Sequence, residues 1–210
     1  MPLKKSCDEC NEQFVPQGGM LKDQMYLNFL ENRQIILKGF IDDSVIEKVV
    51  MQIIHFNEQD DILEQTDKLF DRRNNAIRVY ISSPGGDLVN GLSVVSAIRS
   101  SRTPVVTYAL GMAASAAFVV LAAGHVRVAQ EYSILMYHQL SGMGGYGKLH
   151  DMIDDVALSK KFQKSIDDII VSCTKLTKQE LDEINKCRSD KYFSAKEAKK
   201  LGIIDVVSGC

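Results

Sequence analysis

Ser115 stands in the run Gly111-Met112-Ala113-Ala114-Ser115-Ala116-Ala117, among side chains too small to cover its hydroxyl. Val105 to Leu110 reads as a buried strand, and Ala113 to Ala123 reads as an apolar helix that starts just after Gly111. A serine at a strand-to-helix junction meets helical N–H groups without intrahelical partners and a dipole that favours negative charge. Both conditions suit a nucleophile, although an Ala-rich helix packed closely on a neighbour has the same composition. Ile77 to Ser82 alternates as a strand and breaks at Ser83-Pro84-Gly85-Gly86, where the glycines let bare N–H groups approach a ligand and cradle an anion. Ile134 to Gln139 is an apolar strand ending on His138, just before the glycine-rich run Ser141 to Gly147. Taken alone, His138 is also what an ordinary histidine at a strand end looks like.

The elements that must position these groups alternate between strand and helix, the α/β pattern. Gln34 to Phe40 reads as a strand. Ser44-Val45-Ile46-Glu47 reads as a capping box opening a helix with Val45, Ile46, Val49, Val50, Ile53 and Ile54 on its buried side. After the charged segment Asn57 to Asn75 and the strand at Ile77, a helix carries Leu88, Val89, Leu92, Val95 and Ile98 on one face. Leu149 to Ser172 has helical periodicity through Met152, Ile153, Val156, Ile166, Ile169 and Ile170. Thr177 with Glu180 and Ser194 with Glu197 form two further capping boxes, and Gly202 suits a helix stop. The anion cradle, the serine and His138 each follow a strand, so they can converge at one edge of a sheet.

The chain's 210 residues, 45 % of them hydrophobic, suffice for one substantial core, and no Pro/Gly/Ser-rich linker divides them. A formal net charge of -2 with no basic stripe argues against nucleic acid as a partner. No apolar run is long enough to span a bilayer and no signal sequence is evident, so neither a membrane nor export is expected and the cytoplasm is the default location. The 5 cysteines, an odd number, fit a reducing compartment. Cys7 and Cys10 form a C-x-x-C, but Cys173, Cys187 and Cys210 are remote in sequence, so no four-ligand metal site is expected.

The motifs SPGG at Ser83 to Gly86, GMAAS ending at Ser115, the pair His138-Gln139, and Asp190-Lys191-Tyr192-Phe193-Ser194-Ala195 with Gly202 and Asp205 occur together and in this order. On these residues the chain resembles the ClpP family, the proteolytic subunits of the ATP-dependent Clp proteases, from about Gln34 to the C-terminus. The resemblance implies the ClpP/crotonase fold of repeated β-β-α units with a protruding handle helix at about residues 140–172. Residues 1–26 read as a polar leader that does not resemble the family's N-terminal hairpin, and residues 27–210 as one peptidase domain of the family's kind. The resemblance makes Ser115 the nucleophile, His138 the general base and Asp190 the group that orients the histidine, with an oxyanion hole from the backbone N–H groups of Gly86 and Ala116. His55, His125 and His150 also exist, but only His138 sits where the family motif puts the base. Several carboxylates compete with Asp190, whose role comes from the family pattern alone.

The resemblance also implies self-assembly into heptameric rings stacked in pairs through the handle, where Gly144, Gly145 and Gly147 match family glycines. Unfolded polypeptides would be fed in by an AAA+ unfoldase. The chain has no phosphate-loop motif, so no cofactor is expected in it and ATP would be used by that partner. Alternatives from other classes are a non-cleaving ring subunit and a crotonase-type enzyme acting on an acyl-CoA. Departures from the family pattern include Ala116 where methionine is frequent, Leu140 in place of a proline, Ser189 in place of an arginine, and the long acidic segment 57–75, expected to remodel the outer surface.

Overall fold

The computed structural model describes residues 18–142 and 148–209. The chain divides into a unit ending at Asn32 and a unit spanning Arg33–Cys210. In the first, α1 (Gly18–Glu31) is helical. The second is mixed α/β, built on a seven-stranded and mostly parallel sheet. Strands β1 (Gln34–Ile41), β2 (Ile77–Gly86), β3 (Val105–Ala114), β4 (Val126–Gln130) and β7 (Val206–Ser208) lie side by side in that order. β5 (Ile134–Tyr137) runs parallel to the far half of β3, and β6 (Lys191–Ser194) pairs antiparallel with β5.

Helices α2 (Met51–Thr66), α3 (Leu88–Ser100), α4 (Ala116–Ala122), α5 (Leu149–Cys173), α6 (Lys178–Cys187) and α7 (Ala195–Lys200) complete this unit. The core sits where Ile77, Val79 and Ile81 of β2 meet Val94 and Ile98 of α3, Phe118 and Leu121 of α4, and Ile166 and Ile170 of α5. Burying a side chain of this size contributes roughly 1.5–3 kcal/mol. Every residue of α4 is buried, so this short helix is held by packing on all sides rather than by one amphipathic face.

The strand at Val105 is longer than the sequence pattern predicts. Its first half pairs with β4 (Val106↔Val126 to Ala109↔Ala129) and its second with β5 (Met112↔Ile134 to Ala114↔Met136). Gly111, at φ +74, lies between the two halves, and its N–H donates to the buried Ser133 hydroxyl. The Ala113-Ala114 pair, expected in the helix, is therefore strand, because edge pairing with β5 outweighs alanine's helical propensity.

Other expectations are also corrected. Ser44 does not cap a helix; its hydroxyl and its N–H both donate to Asp42, and the helix opens with a π-helical turn at Ile46–Val50 that leads into α2. Ile54 is exposed, and so is Val89, because α3 buries Val94, Val95 and Ile98 instead. The acidic segment continues α2 to Thr66, and several of its charges turn inward. Asp60 is fully buried against Arg33 and Thr103, while Asp61 and Glu64 pair with Arg72 and Asp61 also with Arg102. The Thr177 and Ser194 capping boxes form as expected, and Gly202 ends α7 at φ +67. Gly144, Gly145, Gly147, Cys7, Cys10 and Cys210 lie outside the described residues. No helix among the described residues is long and apolar enough to cross a membrane.

Candidate active site

Two strand registers bring three remote residues together. Parallel pairing matches Ala114 with Met136, and the Ser115 N–H then donates to the Met136 carbonyl at 2.9 Å. Ser115, just past the end of β3, thus lies beside the end of β5, where His138 follows Tyr137. The Ser115 Oγ is 2.7 Å from His138 Nε2. Antiparallel pairing of Tyr137 with Lys191 brings Asp190 alongside His138.

Ser115 adopts φ 55 and ψ -125, a conformation that costs a non-glycine residue of order 1–3 kcal/mol. It is the N-cap of α4, yet its side chain makes no capping bond. The hydroxyl is aimed at the imidazole, away from the helix it begins. Ala116, the first residue of α4, has an N–H with no intrahelical acceptor. Gly86, at the end of β2, lines the same cleft with Ser115, Ala116 and His138; the cleft encloses about 280 Å³.

Gly85 explains why the neighbouring backbone must be bare. At φ +100, a Cβ built there would lie 2.7 Å from the Ser115 Cβ and 3.1 Å from the Ala116 nitrogen. Asp87, next to the two glycines, caps α3 by accepting from the Asn90 N–H at 2.8 Å. An aspartate directly before a helix is the sequence signal that could have found this cap.

His138 is 21 % exposed and Asp190 49 %. Asp190 Oδ1 lies 3.9 Å from His138 Nδ1, within ion-pair range and beyond hydrogen-bond length, while its Oδ2 accepts a long bond from the Tyr192 hydroxyl. The other histidines are occupied or remote. His125 Nδ1 accepts from the Val105 N–H, and burial holds its pKa below the usual value. His55 packs against Phe56 on α2, and His150 lies in α5.

Chemically, an imidazole nitrogen at 2.7 Å is close enough to take a hydroxyl proton, and bare N–H groups beside the oxygen offer a place for negative charge. The tyrosine that precedes the histidine is also out of the ordinary: burial, reinforced by the Asp167 carboxylate, pushes the Tyr137 phenol well above its usual range.

A parallel-dominated α/β sheet with these groups at its strand ends is an architecture found among peptidases. The family model described as Clp protease matches residues 17–209, and the chain belongs to the Clp protease family. Over 187 residues, 88 % of this chain and 87 % of the relative, it is 30 % identical to the ATP-dependent Clp protease proteolytic subunit of Pleurastrum terricola.

Proposed function

We propose that this chain is a serine endopeptidase subunit that cleaves unfolded polypeptides through an acyl-enzyme. The observation that carries the reading is the 2.7 Å approach of Ser115 Oγ to His138 Nε2, made by a serine held at positive φ at the head of a buried helix. His138 takes the hydroxyl proton as Ser115 attacks the scissile carbonyl, and later returns it to the leaving amine. The oxyanion is met by the N–H groups of Gly86 and Ala116; loss of one such donor typically costs about 100- to 1000-fold in rate. Asp190 stabilises the imidazolium across 3.9 Å. Water then releases the acyl group by the same base.

The assembly we propose is the family's: heptameric rings stacked in pairs, with the serine facing an enclosed chamber. Exposed Met152, Ile153 and Val156 on the first turns of α5 support a subunit contact there. An AAA+ unfoldase supplies extended chains and spends the ATP, and this chain needs no cofactor of its own. We place the protein in the cytoplasm.

One experiment tests the chemistry. The intact chain is treated with a fluorophosphonate and weighed, then assayed on a short fluorogenic peptide, alongside Ser115→Ala. A single adduct and peptide cleavage, both lost in Ser115→Ala, are expected. An assembled ring with no adduct refutes the peptidase in favour of a structural subunit, and thioester turnover that survives Ser115→Ala points to a crotonase-type enzyme. Native mass spectrometry reads the ring size.

A further inference from the structure

Among the described residues, the imidazole of His138 is hydrogen-bonded through one nitrogen, to Ser115, and Asp190 stands 3.9 Å from the other. Something else must fix the segment that carries it. The residues flanking His138 and Gln139 are both tied to α5. Before them, the buried Tyr137 hydroxyl donates to Asp167 Oδ1 at 2.7 Å and accepts from Gln163 Nε2 at 3.0 Å. After them, the Leu140 N–H donates to Gln163 Oε1 at 2.8 Å. Gln163 and Asp167 are one helical turn apart, and Gln163 Nε2 also donates to Asp167 Oδ1 at 2.8 Å.

The Asp167 carboxylate, 1 % exposed, would be costly to bury alone. Lys178 of α6 supplies the counter-charge, with Nζ 2.6 Å from Asp167 Oδ2 and 3.0 Å from Asp182. Asn185, also on α6, lies 3.1 Å from the Tyr137 hydroxyl. A packed apolar contact would have buried this turn without polar groups. Here Gln163 uses its oxygen on one side of His138 and its nitrogen on the other, which specifies the distance between the two flanks.

The geometry points to Gln163, Asp167 and Tyr137 as positioning residues for the peptidase reaction: a hydrogen-bonded clamp from α5 that holds residues 137–140 so that the His138 ring faces Ser115. This rests on the serine-peptidase reading of the site. Loosening the clamp lets the ring drift by tenths of an ångström without removing any group that touches substrate.

Tyr137→Phe and Gln163→Leu test the clamp in the full-length chain. The number of competent sites is first counted by fluorophosphonate titration, so that misfolded subunits drop out of the rate. Turnover per titrated site and the rate of labelling are expected to fall about tenfold, the scale set by small misplacements of reacting groups, with KM for a short peptide unchanged. Amide hydrogen exchange at residues 138–142 is expected to accelerate in Gln163→Leu, a readout independent of activity. Unchanged exchange there overturns the clamp. Faster exchange with unaltered turnover per site overturns the positioning role while leaving the serine reading intact. Absence of any adduct on the unsubstituted chain refutes the serine reading, and the positioning role with it, whatever the exchange shows.

Discussion

Replacing Gly85 with alanine adds a single methyl where the structure has no room for one. The new Cβ would stand 2.7 Å from the Ser115 Cβ and 2.8 Å from the Ala114 carbonyl oxygen. Carbon atoms pack at about 3.5–4.0 Å, so the two segments must separate by about 1 Å. If Ser115 yields, its Oγ moves from 2.7 Å to about 3.5 Å from His138 Nε2, beyond useful proton transfer. A 1 Å misplacement of a reacting group costs on the order of 100-fold in rate. Alanine at φ +100 adds roughly 1–3 kcal/mol of backbone strain, so stability falls as well. Gly39→Ala separates the two effects, because Gly39 also has positive φ, +73, but nothing lies within 4 Å of its missing Cβ. It should lower the unfolding midpoint and leave turnover per titrated site unchanged. Both variants are compared by thermal melt and by peptide turnover normalised to titrated serine. Wild-type turnover per site in Gly85→Ala would refute the claim that this glycine sets the position of Ser115.

Asp190→Ala should cost only about tenfold in turnover per site: at 3.9 Å the attraction to imidazolium is about 1 kcal/mol in water and about 4 kcal/mol at an effective dielectric of 20, and Asp190's 49 % exposure favours the lower end. A loss above about a thousandfold would mean that the working site closes to a direct bond. Asp60→Ala strands the Arg33 guanidinium, only 16 % exposed, and should destabilise the fold by about 3–5 kcal/mol in urea titration without altering labelling of Ser115. The Asp205 carboxyl is held below its usual range chiefly by hydrogen bonding to Arg127, so its contribution is present above the unfolded carboxyl pKa of about 3.9 and disappears as pH falls through the lower folded value. The melting difference between wild type and Asp205→Asn should therefore be constant above about pH 5 and shrink below about pH 4; a difference that grows on acidification would contradict this.

Local chemistry was legible where a residue type has one physical use. The glycines before α3, the capping boxes at Thr177 and Ser194, and the stop at Gly202 were readable because positive φ and side-chain caps leave few alternatives. Where pairing between distant segments decides, the sequence was silent. β4 was not anticipated, since Val126 to Gln130 is short and only its partners define it. α1 begins with two glycines and has no capping signal. Asp60 looked like one of several solvated charges, and nothing nearby in sequence reveals that Arg33 and Thr103 enclose it from 27 and 43 residues away. Asp190 was singled out only by family resemblance, because its approach to His138 depends on the Tyr137↔Lys191 register.

The same dependence explains why the candidate site sits where it does. Ser115 occupies a backbone conformation that no local preference supports, and its own side chain does nothing to cap the helix it starts. Its position is imposed from outside: by the bond from its N–H to Met136, by the bare backbone of Gly85 against it, and by a helix buried on every side. A strain of order 1–3 kcal/mol is matched by the burial of Phe118 and Leu121, each 0 % exposed and each contributing roughly 1.5–3 kcal/mol. Packing of α4 therefore offsets the strained turn, and the turn is what frees the hydroxyl to face His138. A better local cap at position 115 would relieve the strain and point the oxygen back at the helix, so the stability given up at this turn and the chemistry gained from it belong to one arrangement.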